Sequence, residues 1–198
     1  MPAVRGLDRV VLATGNAHKV AEVRAILAPV APDVTVLSYD GPSPVEDGDT
    51  FAANALIKAR AAADRTGLPA IADDSGISVD ALGGEPGTRS ARFAGSGDDA
   101  DNRALLLERM RGVADRAARF TCAAVLVVPG EEPVVRVAEW PGRVLDAERG
   151  AGGFGYDPLF LPDGSDRSAA ELTPGEKHAA SHRGQAFRAL AADLIRPS

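Results

Sequence analysis

Between Arg9 and Ala13 the chain reads RVVLA, a short unbroken apolar run, and the next apolar residues fall at Val20, Val23, Ile26 and Leu27. The first pattern predicts a buried strand. The second, at three- and four-residue spacing, predicts a helix entered through the polar turn TGNAHK. The motif then repeats: DVTVLS (33–38) alternates as a second strand, and a loop rich in Pro, Gly and Asp runs from Tyr39 to Asp49. TFAANALIKARAAADRTG (50–67) predicts an alanine-rich helix closed by Gly67. LPAIADDSG (68–76) reads as a third strand ending in two aspartates, with ISVDAL continuing extended. GGEPGTRSARFAGSGDD (83–99) reads as a loop long enough to suggest function.

DADNRALLLERMRG (99–112) predicts another helix, and ARFTCAAVLVV and EPVVRVAEW, separated by the turn PGEE, predict an antiparallel hairpin. A second glycine-rich loop, GAGGFGYDP (150–158), precedes the short strand LFLP. From Ser168 the chain is mainly helical with a break at Pro174 and Gly175. Alternating strands and helices argue for an α/β fold with a mixed sheet, the hairpin suggesting a second lobe across a cleft. There is no internal repeat and no low-complexity linker, so residues 1–198 are expected to form one domain of two joined lobes.

Composition refines this picture. Aromatic residues make up only 5% of the chain and alanine fills their place, so the core is expected to be aliphatic. A net charge of -6 removes the broad basic footprint that polymeric DNA or RNA requires, and basic groups must act locally. The one cysteine, Cys122, lies in the apolar run FTCAAVLVV, which excludes an internal disulfide or a cysteine metal cluster and predicts a buried, inert thiol in a reducing compartment. No run approaches the roughly 18 to 20 apolar residues of a membrane helix. The N-terminus lacks a basic region followed by a hydrophobic signal core, so the expectation is a cytoplasmic protein with no membrane partner.

Five stretches carry candidate chemistry. TGNAHK (Thr14 to Lys19) sits where a strand ends and a helix begins, and unpaired N–H groups and the helix dipole there favour an anion such as phosphate. Gly15 permits close approach, Thr14 and Asn16 supply short polar side chains and Lys19 a charge; the alternative is Asn16 as an ordinary helix cap and Lys19 as a surface residue. In EDGDTFAANALIKA (46–59), Thr50, Asn54 and Lys58 share one helix face, either to reach one anion or as a plain polar stripe, and Glu46 is a metal carboxylate or an exposed acid. Asp73 and Asp74 follow the apolar run PAI; alternation turns one toward the cleft and leaves the other to support it, unless the tetrapeptide is only a turn. GGFGYD (152–157) offers Phe154 and Tyr156 for stacking on a base or for the core, and EKHAASHRG offers Lys177, His182 and Arg183 as donors or as a solvated patch. His18 and His178 suggest no role of their own.

In this order, TGNAHK, EDGDTFAANALIKA, PAIADDSG, GGFGYDPLF and AELTPGEKHAASHRG closely resemble the inosine triphosphate pyrophosphatase family, the dITP/XTP pyrophosphatases that clear abnormal purine nucleotides. The resemblance covers nearly the whole chain, and five ordered blocks are far more specific than any one. It implies an ITPase-like α/β fold: an elongated mixed sheet with flanking helices, in two lobes around a central nucleotide-binding cleft. It also implies a homodimer and Mg²⁺-dependent cleavage of a nucleoside triphosphate to monophosphate and pyrophosphate. Carried onto this sequence, it places the triphosphate on Thr14, Gly15, Asn16, Ala17, His18 and Lys19, with Lys58 assisting. Asp74 becomes the metal-linked proton acceptor with Asp73 beside it, and Ser75 a substrate contact. Phe154, Gly155, Tyr156 and Asp157, with Lys177, His182 and Arg183, become the base pocket. Where some members carry paired glutamates before a glycine, this chain has Val45-Glu46-Asp47-Gly48, which leaves open the acid that shares the metal with Asp74; Glu46 is the candidate.

The chemistry expected from this set is attack of a water, activated near Asp74, on the α-phosphorus, with Mg²⁺ and lysines neutralising the leaving pyrophosphate. Two alternatives stand beside it: a module that senses the triphosphate without hydrolysing it, and a pyrophosphatase for modified pyrimidine triphosphates.

Overall fold

The computed structural model describes residues 7–195. In chain order the elements are β1 (Arg9–Leu12), α1 (Ala17–Leu27), β2 (Thr35–Ser38), α2 (Phe51–Thr66), β3 (Ala70–Val79), α3 (Asp99–Arg109), β4 (Ala117–Val127), β5 (Val134–Val144), β6 (Phe160–Pro162), α4 (Pro174–Ala180) and α5 (His182–Leu194). The six strands form one sheet in the order β2-β1-β3-β4-β5-β6. β1 pairs in parallel with β2 and β3, and β5 pairs antiparallel with β6 through Gly142 opposite Pro162, so the sheet is mixed as the strand pattern predicts.

The chain divides into two compact units. The first comprises the chain up to Asp74, Cys122–Ala138 and the chain from Arg183; the second comprises Ser75–Thr121 and Glu139–His182. In the first unit, successive residues of β1 enter different cores, which is why RVVLA is apolar without alternation. Val10 and Leu12 pack with Val23, Ile26 and Leu27 of α1 and with Phe187, Leu190 and Leu194 of α5. Val11 and Ala13 pack with Ala55, Ala59, Ala62 and Ala63 of α2 and with Val125 and Val127 of β4. The alanine face lets α2 approach closely, and the helix is bounded as its sequence predicts: the Thr50 side chain accepts from the Ala53 N–H, and Gly67 closes it at φ +67°.

The second unit is packed differently, around Phe93, Phe120, Trp140, Tyr156 and Phe160, with Ile77, Val79, Leu106 and Leu159 among them. The Phe120 and Phe160 rings meet edge to face at 4.6 Å. An aliphatic core is therefore correct for the first unit alone, where Phe187 is the one fully buried aromatic among the described residues, because most of the aromatics are concentrated in the second.

Three local expectations are corrected. β3 does not end at Asp73 and Asp74 but runs through them to Val79, because Ile77 and Val79 beyond the acids are as deeply buried as Ile71 before them. The stretch 83–99 is not wholly irregular; Gly87–Arg92 forms a 3-10 helix. Pro174 starts a helix rather than breaking one: Thr173 caps α4 in a reciprocal box with Glu176, and the interruption falls at Ser181. Among the described residues no helix is long and apolar enough to cross a membrane.

Candidate active site

Between β1 and α1 the turn 13–16 is braced from within. The Thr14 hydroxyl oxygen accepts from the Asn16 N–H at 3.1 Å, and the Asn16 amide oxygen accepts from the His18 and Lys19 N–H groups at 2.9 and 3.2 Å. Asn16 is thus the cap of α1, through its amide oxygen. Gly15 has no left-handed φ, and a Cβ there would meet nothing within 4 Å, so the protein's own packing does not demand glycine at this position. Ala17 and His18, the first residues of α1, are exposed, while the Lys19 side chain turns inward and brings its ammonium to 3.2 Å from the Asp73 carboxylate.

Asp73 and Asp74 are adjacent on β3, and alternation sends their carboxylates to opposite faces. Asp73 is fully buried. Its Oδ2 accepts from Arg183 Nε and Nη2 at 3.2 and 3.1 Å, and Arg183 Nη1 in turn donates to Glu22 of α1 at 2.7 Å. Lys19, Asp73, Arg183 and Glu22 make a ring of alternating charge closed by α1, which carries Lys19 and Glu22 three residues apart. Burial alone would raise the Asp73 carboxyl, but the Lys19 and Arg183 cations outweigh it and hold the group well below the usual carboxylate range. Cys122 lies on the same side, its Sγ 3.9 Å from Asp73 Oδ2, and burial pushes its thiol up, as befits an inert cysteine.

Asp74 has other company. Asn54 of α2 donates to its Oδ2 at 3.2 Å and accepts from the Gly48 N–H at 2.8 Å, tying the strand to the loop that carries Glu46. The Lys58 ammonium stands between two acids, 2.9 Å from Glu46 Oε2 and 3.7 Å from Asp74 Oδ1. The anion that Asn54 and Lys58 both reach is therefore Asp74. Burial raises the Asp74 carboxyl above the ordinary carboxylate range, and Lys58, Lys19 and Asn54 offset only part of that rise. Burial would lower the Lys58 ammonium, but Asp74 and Glu46 more than compensate and keep it charged.

The remaining candidates lie in the second unit, apart from Arg183, whose guanidinium is engaged by Asp73 and Glu22. Ser75, half-buried, continues β3. Phe154 is half-buried with the Lys177 ammonium 4.9 Å from its ring centroid, and Lys177 Nζ is 2.6 Å from the buried Asp157 carboxylate. Asp157 Oδ2 also accepts from the Phe154 N–H at 2.9 Å. Gly153 is required here: its φ is +69°, and a Cβ would run into the Asp157 carboxylate. Tyr156, by contrast, is a core residue whose hydroxyl donates to the Ser90 carbonyl at 2.8 Å. His182 is buried with its ring stacked on Phe120 at 4.7 Å. Glu22 takes part through Arg183, and Asp99 and Arg103 through Gly155, whose N–H donates to Asp99 and whose carbonyl accepts from Arg103; the sequence gives no sign of it. Spacing alone points to Asn54, four residues before Lys58, but nothing separates Glu22 or Asp99 from an ordinary surface acid.

A capped turn at the end of a parallel strand, beside a strand whose paired carboxylates meet Lys19 and Lys58, places the chain among α/β proteins, a class that presents its ligands at the carboxyl ends of parallel strands. Residues 10–193 match the model of the Ham1 family, and the chain belongs to that family. It is 55% identical over 185 residues to the dITP/XTP pyrophosphatase of Leifsonia xyli subsp. xyli, spanning 92% of this chain and 93% of that protein. It is 50% identical over 188 residues to the dITP/XTP pyrophosphatase of Deinococcus radiodurans, spanning 95% and 94%. A HAM1 protein from Coxiella burnetii superposes with a TM-score of 0.85 at 40% identity, covering 94% of this chain and 98% of that one. A nucleoside-triphosphatase / dITP/XTP pyrophosphatase from Mycobacterium abscessus superposes at 0.74 and 45% identity, covering 93% and 97%.

Proposed function

We propose that this chain hydrolyses dITP, XTP and ITP to the nucleoside monophosphate and pyrophosphate, clearing abnormal purine nucleotides from the nucleotide pool. Relatives of that name, 50–55% identical over more than nine-tenths of both chains, support the activity. The observation that carries it is the convergence of Glu46 and Asp74 on one cation, with the Asp74 carboxyl raised by burial.

That convergence also tests the fit of a metal. Two hard carboxylate oxygens from separate elements already face a common positive charge, the Lys58 ammonium. Mg²⁺ takes just such a set, one or two carboxylates completed by water and phosphate oxygens. Among the described residues no three His, Cys, Asp or Glu side chains gather into a metal site, so the chain would offer this carboxylate pair and leave the other positions to water and phosphate oxygens. Held by Asp74 and Glu46, Mg²⁺ would supply charge neutralisation to the triphosphate. The chain's own groups do the rest. The turn Thr14 to Lys19 binds the triphosphate, the open space before Gly15 admitting a phosphate oxygen. Asp74 accepts the proton of the water that attacks the α-phosphorus. Lys19 and Lys58 balance the charge that grows on the departing pyrophosphate. Ser75 contacts the substrate, and Arg183 enters through Asp73, which it holds beside Lys19.

Phe154 is assigned to stacking on the base, with Asp157 ordering its backbone and Lys177 and His182 donating to a 6-oxo group. Adenine presents an amino donor instead, and each misplaced donor leaves a buried polar group unpaired. The family resemblance extends the reading to a cytoplasmic homodimer, whose mass sedimentation analysis measures.

Pyrophosphate release from dITP, ITP, XTP, GTP, ATP and dUTP, with Mg²⁺ and with chelator, tests the activity. The expected result is metal-dependent release from dITP, ITP and XTP, with kcat/KM for ATP lower by about 10²-fold. Absence of metal-dependent release supports a sensing module, and preference for dUTP a pyrimidine substrate. Solvent labelled with heavy oxygen should mark the monophosphate; label in pyrophosphate places attack at the β-phosphorus.

A further inference from the structure

The loop that carries Phe154 contains Gly150, Gly152, Gly153 and Gly155, a composition that by itself gives a mobile backbone. In the structure that freedom is removed from outside the loop. Asp99, the first residue of α3, places Oδ2 2.8 Å from the Gly155 N–H, and Arg103, one turn later, donates from Nη1 to the Gly155 carbonyl at 3.0 Å. Both main-chain polar groups of Gly155 are thus taken by side chains four residues apart on one helix face. Arg103 is itself held by Glu148, whose Oε1 accepts from Nε at 2.9 Å. Asp99 is not needed to cap its helix, because Asp98 accepts from the Ala100 and Asp101 N–H groups. On the other side of Phe154, its N–H donates to the Asp157 carboxylate, and its carbonyl accepts from the Asp157 N–H at 3.2 Å. The peptide linking Phe154 to Gly155 is therefore held through both its carbonyl and its N–H, and the Phe154 ring is left beneath the Lys177 ammonium.

We infer that Asp99 and Arg103 are positioning residues for base recognition: they clamp Gly155 so that Phe154 is pre-ordered to receive the purine. The inference rests on the assignment of Phe154 to the base. Pre-ordering a contact surface raises affinity by removing the ordering cost from the binding step, and a glycine-rich loop has the most to lose when its restraints are cut. The clamp acts only on the loop assigned to the base, so its loss should separate base affinity from phosphate affinity.

Inhibition by inosine monophosphate reports the base site, and inhibition by inorganic tripolyphosphate reports the phosphate site. In Asp99→Ala the inhibition constant for inosine monophosphate should rise about tenfold, while that for tripolyphosphate stays within about twofold of the parent value. Asp99→Asn, whose amide oxygen still accepts from the Gly155 N–H, should restore most of the loss. Arg103→Gln, which removes the guanidinium, should reproduce the defect independently. Equal loss of both inhibitors, unchanged inosine monophosphate affinity, or an Asp99→Asn variant as impaired as Asp99→Ala would each overturn the clamp. Failure of the unmodified chain to release pyrophosphate from dITP would instead overturn the functional reading beneath it.

Discussion

At the residue scale, the paired acids of β3 have the same chemistry and opposite surroundings. Asp74 is partly exposed, with a carboxyl raised by burial, and Asp73 is fully buried, with Lys19 and Arg183 both on its Oδ2. Asp74→Asn preserves size and removes the charge needed to hold a metal and accept a proton. Turnover should fall by about 10²- to 10⁴-fold or more, with thermal stability kept, as steady-state kinetics and calorimetry on one preparation will establish. Asp73→Asn should act mainly on stability, because it leaves Lys19, Arg183 and Glu22 with an uncompensated buried positive charge; about 3–5 kcal/mol is expected near neutral pH. The pH dependence has a definite sign. The folded pKa of Asp73 lies below the unfolded value of about 4, so its contribution is fully present above that value and lost as pH falls through the folded one. Denaturant titrations between about pH 6 and about pH 3 should therefore give a flatter acid limb for the variant than for the parent. An identical limb in both would remove Asp73 from the acid response.

At the element scale, helix ends are set by capping side chains and by glycine. Gly67 closes α2 at a left-handed φ, and a Cβ at that position would meet no atom within 4 Å, so Gly67→Ala encounters only backbone strain. Its cost should be about 1 kcal/mol in chemical denaturation with kcat/KM unchanged. Gly153→Ala meets both a left-handed φ and the Asp157 carboxylate, the group that holds the Phe154 N–H and the Lys177 ammonium. It should lower stability and raise the inosine monophosphate inhibition constant together. The two substitutions separate a glycine that ends a helix from one that shapes a binding loop.

At the scale of the whole molecule, a ligand that binds only the folded chain stabilises it by mass action, about 2.7 kcal/mol at a hundredfold excess over Kd. For a chain of this size that corresponds to a rise in Tm of roughly 5 to 10 °C. A dITP analogue with a non-hydrolysable bridge between the α- and β-phosphates, added with Mg²⁺, should produce this rise in a thermal melt, and chelator should remove most of it. The same shift with and without chelator would mean that Glu46 and Asp74 contribute no metal to nucleotide binding.

Local pattern determines much of this protein. The period of the apolar residues, the Asn16 and Thr50 caps and the Gly67 stop place β1, α1, β2 and α2 because each depends on residues a few positions apart. The order of polar blocks carries the family resemblance for the same reason: a motif is a local record of chemistry. What tertiary structure decides is everything that depends on neighbours distant in sequence. DDSG has the composition of a turn, yet β3 passes straight through it because Ile77 and Val79 have a core to enter beyond it. Arg183 reads as one donor in a basic run, and only the fold brings it to Asp73, 110 residues away, and to Glu22, 161 residues away. Asp99 reads as a surface acid until Gly155 arrives against it. Charges are sorted into partners by packing, which fixes distance and desolvation, and neither quantity is written in the residue types alone.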